Sequence, residues 1–188
     1  MLDDWLRALV ATPGLTALGD VAEARRSLLD DSLRGVEIVS RFDGAIVDVG
    51  SGGGVPGIPL ASALPEREVT LLDGSGRKCD FLREWAPPNA HVVQARAEEQ
   101  QADTFGVAVA KALAPPPVAA EWCLPLVRPG GAAVLWVGPT ADAAHVARVA
   151  ELLGGELDED DGFFVLRKLI PTPPGFPRRV GVARKRPL

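Results

Sequence analysis

Residues that commonly carry metal binding, disulfide bonding or acid–base chemistry are scarce in this sequence. Its 188 residues include only two cysteines, Cys79 and Cys123, and two histidines, His91 and His145. The cysteines lie far apart without CxxC spacing, so neither a disulfide framework nor a structural zinc site is expected. The histidines occur in unrelated contexts that are more typical of surface or loop positions than of a catalytic centre. No resident metal ion is therefore expected.

Long apolar runs are also missing. No stretch approaches the roughly 18 apolar residues of a membrane span, and Asp3 and Asp4 follow the first residue, which argues against a signal peptide. With 188 residues, 47% of them hydrophobic, the chain can bury one core but not a second catalytic domain. We expect a cytoplasmic monomer that makes no membrane contact.

Glycine is abundant and follows one apolar segment closely. Ala45–Val49 form a short run typical of a strand buried on both faces, interrupted by the carboxylate of Asp48. The next five residues include four glycines, Gly50, Gly52, Gly53 and Gly54. Without Cβ atoms this segment can adopt positive φ and lets a ligand approach the main chain. Pro56 suits the first turn of a helix, so the pattern predicts a strand, a ligand-binding loop and a helix.

Two kinds of ligand fit this loop. Gly52–Gly57 satisfies the G-x-G-x-x-G fingerprint of dinucleotide sites, in which a helix N-terminus faces a pyrophosphate. Asp48–Gly54 instead resembles the first motif of class I S-adenosylmethionine (SAM) methyltransferases, in which the acid belongs to the cofactor site. The embedded Asp48 favours SAM over a dinucleotide.

Three later segments place polar side chains where parallel strands end. Asp73 follows the strand Val69–Leu72 and lies 23 residues beyond Gly50, the position at which a nucleoside-binding α/β fold holds ribose hydroxyls. Arg96–Glu99 follow the strand His91–Gln94 and either read an adenine edge or form a solvated turn. Lys111 follows the strand Phe105–Ala110. At this strand end it is expected to contact a cofactor carboxylate or the substrate; the alternative is a purely structural lysine.

The remaining pattern predicts an α/β protein with a doubly wound, mostly parallel sheet and late antiparallel strands. Two short N-terminal helices are expected in residues 1–40, a core in 41–170 and a basic C-terminal segment in 171–188, all in a single domain. Within the core, Arg128–Gly131 is expected to be a tight turn before a strand at Ala132–Val137. The acidic run Glu156–Asp161 is expected to be a turn before the last strand, Phe163–Ile170.

Charge is distributed unevenly along the chain. The net charge is −5, yet residues 167–188 carry seven basic residues and no acid, and the rest carries 13 basic and 25 acidic residues. Such a basic segment on an acidic body is typical of a phosphate-binding arm, although a solvated tail remains an alternative. The candidate RNA-phosphate contacts are Arg178, Arg179, Arg184, Lys185 and Arg186. This segment is not expected to line the cofactor crevice.

These motifs together are similar to those of the RsmG/GidB-type family, the guanine-N7 methyltransferases of bacterial small-subunit ribosomal RNA. The resemblance covers most of the chain, and its most specific part is the continuation Pro56-Gly-Ile-Pro-Leu60 after the glycine loop. Further parts are Thr70–Lys78, the Asp31-Ser-Leu33 triplet and the basic ending from Phe176. The resemblance implies a Rossmann-like class I methyltransferase fold, SAM as cofactor and 16S ribosomal RNA as substrate.

The same resemblance implies specific cofactor contacts. They fall on Gly50 and Val55 in the loop, on Ala97 and Glu98 after the third strand, and on Lys111. With the residues singled out above, the candidate cofactor site comprises Asp48, Gly50, Gly52, Gly54, Val55, Asp73, Ala97, Glu98 and Lys111. The chain departs from the family pattern at Lys111, Val137 and Leu28, where arginine, lysine and histidine are usual, and a stretch of N-terminal helix is expected to be missing.

Methylation at guanine N7 makes few demands on side chains. The N7 lone pair can attack a sulfonium methyl group without prior deprotonation, so positioning and desolvation carry the reaction and no catalytic residue is expected. Two other functions remain open. One is a SAM-binding, RNA-associated protein without activity; the other is an NAD-linked oxidoreductase, which needs a substrate domain that this length does not supply.

Overall fold

A seven-stranded sheet forms the centre of the computed structural model, which describes all 188 residues. The strand order is β3-β2-β1-β4-β5-β7-β6, and only β7 runs antiparallel to its neighbours. The strands are β1 (Ile46–Val49), β2 (Val69–Asp73), β3 (Ala90–Gln94), β4 (Phe105–Lys111), β5 (Val127–Trp136), β6 (Gly155–Asp160) and β7 (Phe163–Lys168). The predicted doubly wound, mostly parallel α/β sheet is confirmed.

Helices cover both faces of this sheet. They are α1 (Leu2–Ala11), α2 (Val21–Ala24), α3 (Asp31–Leu33), α4 (Val36–Val39), α5 (Gly57–Ala63), α6 (Gly76–Trp85), α7 (Pro116–Cys123), α8 (Ala143–Leu152) and α9 (Val182–Lys185). A π-helical segment, Arg25–Asp30, joins α2 to α3, and short 3-10 turns occupy Ala97–Glu99 and Leu124–Leu126. The longest helices have ten residues, and none is long and apolar enough to cross a membrane.

Side chains of the central strands point alternately to the two faces of the sheet, which divides the core into two layers. In β1, Ile46 packs with α1, α5 and α6 on one face, whereas Val47 and Val49 pack with α7 and α8 on the other. Both layers are mostly apolar along the sheet, as expected for parallel strands covered on both faces, with Asp48 of β1 and Lys168 of β7 as fully buried exceptions. The carboxyl ends of β1 to β4 therefore open onto one edge, where the glycine loop lies.

Two predicted turns are strands in the structure. The acidic run expected to be a turn forms the edge strand β6, because Leu157 packs onto the core while Glu156 and Asp158 pair with Arg167 of β7 at 2.6 Å and 3.1 Å. Acidic side chains on an exposed edge also discourage pairing with another chain. Arg128–Gly131 lie within β5, at a point where the pairing with β4 changes register.

The N-terminal helices attach directly to the glycine loop. Trp5 on α1 is fully buried, and its indole Nε1–H donates to the backbone oxygen of Gly53 at 2.9 Å. A Cβ atom on Gly53 would collide with Leu9, so α1 lies against the loop itself. Of the two short helices predicted within residues 1–40, the first is α1 and the second is present as α2, the π segment and α3, whereas α4 was not predicted.

We expect Trp5→Phe to lower the free energy of unfolding by about 2–3 kcal/mol, because it leaves a cavity and a buried carbonyl without its donor. Urea denaturation measures this loss. The half-buried Trp85, which ends α6, gives a matched control, and Trp85→Phe should cost under about 1 kcal/mol. Equal losses in the two variants would show that the contact with the loop contributes nothing.

Candidate cofactor site

The loop between β1 and α5 requires glycine at several positions. Gly50, Gly52 and Gly54 have φ values of +72°, +58° and +96°, which L residues with side chains rarely adopt. A Cβ atom would also strike Leu113 from Gly50 and Ile58 from Gly54. The loop thus folds tightly over the end of β1 and exposes its main chain toward the neighbouring strand ends.

Asp48 lies beneath this loop and not on its outer side. The residue is fully buried, and its Oδ2 accepts a hydrogen bond from the backbone N–H of Gly57 at 3.0 Å, at the start of α5. A Cβ atom on Gly57 would collide with this carboxylate. Asp48, one of the predicted cofactor residues, does not line the crevice, because on β1 it points to the face opposite that of Val47 and Val49.

Burial raises the pKa of Asp48 from 3.8 to about 7, and the nearby Asp73 adds a smaller upward effect. Hydrogen bonds from Ser51 and Gly57 oppose this rise without cancelling it. One carboxylate oxygen, Oδ1, has no hydrogen-bond partner. A proton on this oxygen relieves the cost of a buried charge.

Asp73 joins the glycine loop to the start of α6. Its Oδ2 accepts from the N–H of Gly52 at 3.0 Å, its Oδ1 accepts from the N–H of Ser75 at 2.8 Å, and Lys78 Nζ lies 3.9 Å from Oδ2. The side chain is 9% exposed. Each carboxylate oxygen accepts one protein hydrogen bond and can accept another, so Asp73 can still bind a hydroxyl from the solvent side.

A crevice of about 460 Å³ opens beside Asp73, at the carboxyl ends of β1 to β4. Four predicted cofactor residues line it: Gly50, Asp73, Ala97 and Glu98. Ligands bind at this place in open α/β sheets. Arg96, which belongs to the segment considered above for reading an adenine edge, also lines it. Several lining residues were not assigned a role from the sequence: Val49, Leu72, Gly74, Lys78, Ala95, Ala112, Leu113, Trp122, Val180 and Gly181.

Four other predicted cofactor residues do not line the crevice. Gly52, Gly54 and Val55 lie behind its wall, where Gly52 supports Asp73 through the hydrogen bond already described. Lys111, at the end of β4, pairs with Asp31 of α3 at 2.5 Å, with its side chain 17% exposed. Trp136 donates from Nε1 to the backbone oxygen of the same Asp31 at 3.0 Å. Lys111 therefore anchors the N-terminal helices beside the crevice.

The C-terminal segment lies against the crevice, contrary to expectation. Gly181 donates its backbone N–H to Glu98 Oε1 at 3.0 Å, and Val180, Gly181 and Arg184 line the crevice. Arg178 is not free for phosphate, because it forms two 2.5 Å hydrogen bonds with the buried carboxylate of Glu121 on α7. The other four predicted basic residues, Arg179, Arg184, Lys185 and Arg186, are exposed.

A second cavity, of about 530 Å³, adjoins the crevice. It lies between the segment after β4 and the C-terminal segment, and the two cavities share Leu113, Trp122 and Arg184. The indole N–H of Trp122 is buried and has no partner in the protein. His145 also lines this cavity, and its Nε2 forms a 2.6 Å hydrogen bond with the Leu188 carbonyl oxygen.

Known proteins resemble both the sequence and the fold. A sequence model of the family described as rRNA small subunit methyltransferase G (GidB) matches residues 4–153. The chain belongs to this family. Ribosomal RNA small subunit methyltransferase G of Synechococcus sp. (strain JA-2-3B'a(2-13)) is 34% identical, over 94% of this chain and 79% of the relative. That of Rubrobacter xylanophilus is 36% identical, over 94% of this chain and 74% of the relative.

Solved structures of the same fold include several methyltransferases. The T. thermophilus 16S rRNA N2 G1207 methyltransferase, in complex with AdoMet and guanosine, aligns with a TM-score of 0.54 and 19% identity, over 78% of this chain and 40% of that one. An O-methyltransferase from Thermotoga maritima aligns with a TM-score of 0.60 and 14% identity, over 86% of this chain and 73% of that one. At these identities the likeness concerns the fold alone.

Family membership confirms several predictions made from the glycine loop and its continuation. The predicted family is correct, the enzyme class is a methyltransferase, and SAM is its cofactor. The dinucleotide alternative, and with it the NAD-linked oxidoreductase, is excluded as the enzyme class. The roles of the individual site residues stay predictions.

Asp48→Asn should change how stability depends on pH. Because the folded-state pKa is raised, the contribution of Asp48 is fully present below 3.8 and is lost as pH rises through about 7. The stability of the wild type relative to the variant should therefore fall between pH 4 and pH 8, by up to about 4 kcal/mol. Urea denaturation across this range measures it, and a constant difference would contradict the raised pKa.

Proposed function

We propose that this chain transfers the methyl group of SAM to N7 of a guanine in small-subunit (16S) ribosomal RNA. The observation that carries the proposal is the Asp73 carboxylate, which faces the crevice beside the glycine loop in a chain of the methyltransferase G family. Because this substrate is ribosomal, the proposed place of action is the cytoplasm. The division into one domain and the monomeric state stay predictions.

The crevice suits a nucleoside with a short polar extension. Asp73 offers acceptor positions to the two ribose hydroxyls, and Gly50, which also lines the crevice, is the proposed contact for the methionine part. Ala97 and Glu98, which follow β3, are placed to contact the adenine. A ligand without a pyrophosphate fits better beside Asp73 than a dinucleotide does, since this carboxylate would repel a phosphate placed next to it.

Lys111 acts in this scheme through the polypeptide that follows it. Ala112 and Leu113 line the crevice, and Ala112 has a φ of +52°, which is uncommon for a residue with a side chain. The Lys111–Asp31 ion pair fixes the strand end from which this strained backbone departs. Lys111, at the position where the family usually has arginine, thus positions the crevice wall through its ion pair with Asp31.

The chemistry needs position more than acid–base groups. SAM, when bound, would supply an electrophilic methyl group to the N7 lone pair of guanine, which needs no prior deprotonation, and S-adenosylhomocysteine would be the leaving group. The protein has to hold the base in line and keep water away. The second cavity, which meets the crevice at Leu113 and Trp122, provides partly apolar space for a base at this point.

Phosphate contacts are proposed for the exposed basic residues of the C-terminal segment. Arg184 lines both cavities, and Lys185 and Arg186 follow it on the surface. Arg179 is exposed nearby and is also proposed as a phosphate contact. Arg178 is not, because its guanidinium is already hydrogen-bonded to Glu121. The phosphates on either side of the target nucleotide can thus contact these basic side chains while the target base enters the second cavity.

Transfer of a labelled methyl group from SAM to undermethylated small-subunit RNA tests this function. We expect incorporation at a single guanine and strand scission there after chemistry specific for N7-methylguanosine. Label on another atom would contradict the N7 assignment. SAM binding without transfer to free RNA or to assembled small subunits would favour the alternative of an inactive, RNA-associated protein.

Asp73→Ala should weaken SAM binding by about 1–3 kcal/mol, because it removes a charged acceptor from the proposed ribose contact. Calorimetry measures this change. Asp80→Ala is a matched control, since Asp80 is exposed on α6 and pairs only with Arg83. Unchanged affinity in the Asp73 variant would place the ribose contact elsewhere.

The basic segment should determine part of the salt dependence of RNA binding. In a variant with Arg184, Lys185 and Arg186 changed to alanine, the slope of log affinity against log salt should shrink by roughly 0.7–0.9 for each phosphate that is no longer neutralised. A variant with Arg7, Arg83 and Arg148 changed to alanine removes the same charge from α1, α6 and α8. Identical slopes for the two triple variants would move the RNA-binding surface elsewhere.

A further inference from the structure

The C-terminal segment packs across an opening that the rest of the chain leaves between β3 and β4. In place of a full crossover helix, this connection contains only the 3-10 turn Ala97–Glu99 and a short loop. Parallel strands are usually joined by a helix that covers the sheet. Here Val180, Gly181 and Arg184 lie over the crevice beside that turn, and α9 contacts α7.

Two contacts hold the part of the segment that lies beside the crevice. The first is the ion pair between Arg178, 22% exposed, and Glu121, 2% exposed, with two hydrogen bonds of 2.5 Å. The second joins the N–H of Gly181 to Glu98, a residue that itself lines the crevice. Arg178 also donates to the backbone oxygen of Arg186 at 2.9 Å, which closes the segment around α9.

The Glu121–Arg178 ion pair can fix the position of the C-terminal segment on α7. A carboxylate as buried as Glu121 is costly unless a charged partner satisfies it, and no other charged side chain pairs with it. The bidentate geometry also fixes the direction of the arginine. If the segment detached, Arg178 would return to water but Glu121 would lose its charged partner, so the pair favours the docked position.

We propose that the C-terminal segment is a wall of the cofactor site and that Glu121 is the positioning residue that holds it there. The proposal rests on SAM binding in the crevice. Cofactor enclosed by Val180 and Gly181 favours the docked segment, and the docked segment in turn raises cofactor affinity. Since Arg184 of this segment also lines the second cavity, RNA and cofactor binding are linked through it.

A graded series at Glu121 tests the proposal by calorimetry with SAM. Glu121→Gln keeps one acceptor oxygen and should weaken SAM binding a few-fold, whereas Glu121→Ala should weaken it about tenfold or more. Glu156→Ala, which likewise removes the partner of an arginine but on the sheet edge, should leave SAM affinity within twofold of the wild type. Melting temperatures without SAM control for loss of fold.

Limited trypsin digestion gives a readout that a purely structural role would not change. Arg179, Arg184 and Lys185 are exposed cleavage sites within the segment, whereas trypsin does not cut between Arg186 and Pro187. SAM should slow their cleavage severalfold in the wild type and much less in Glu121→Ala. Gly181→Pro removes the N–H donor and cannot adopt the φ of +80° found at this position, so it should undock the segment and behave like Glu121→Ala.

The outcomes separate this inference from the proposed function. If the wild type binds SAM while Glu121→Ala and Gly181→Pro bind it within twofold and show equal protection from trypsin, the segment is not a wall of the site. If the wild type itself does not bind SAM, the proposed function fails and this inference fails with it.

Discussion

The structure of the site depends on one carboxylate, that of Asp73, at the end of β2. It fixes the glycine loop through Gly52 and the start of α6 through Ser75, and it still faces the crevice. Because one side chain makes all of these contacts, the loop cannot move independently of the proposed ribose contact. Binding energy from the nucleoside can therefore be used to order the surrounding backbone.

Buried charges also determine how the peripheral segments attach. Asp48, with its pKa raised to about 7 by burial, holds α5 from beneath the loop. Lys168, whose pKa burial lowers to about 8, donates to the carbonyl of Leu153 and the hydroxyl of Thr172, at the start of the C-terminal segment. Asp103 accepts from the same threonine. These contacts of Asp48 and Lys168 attach α5 and the C-terminal segment through hydrogen bonds, at points where the chain leaves the sheet.

The sequence was informative where physical constraints are local. Glycines at positive φ and the alternation of strands and helices predicted the loop, the sheet and the position of Asp73. Long-range pairing was not predictable in this way: the direction of Asp48 follows from strand register, and Lys111 is paired with Asp31, which lies 80 residues away. The Glu121–Arg178 pair was unpredictable for the same reason: the sequence alone favours Arg178 as a phosphate ligand, and only the structure shows its buried partner, Glu121.

Calorimetry of the wild-type protein with SAM and, separately, with NAD tests the central claim most directly. A crevice that holds a ribose at Asp73 and leaves room for a cationic sulfonium should bind SAM, or its demethylated product, and should not bind NAD at comparable concentrations. Micromolar binding of NAD without binding of SAM would contradict this account of the site.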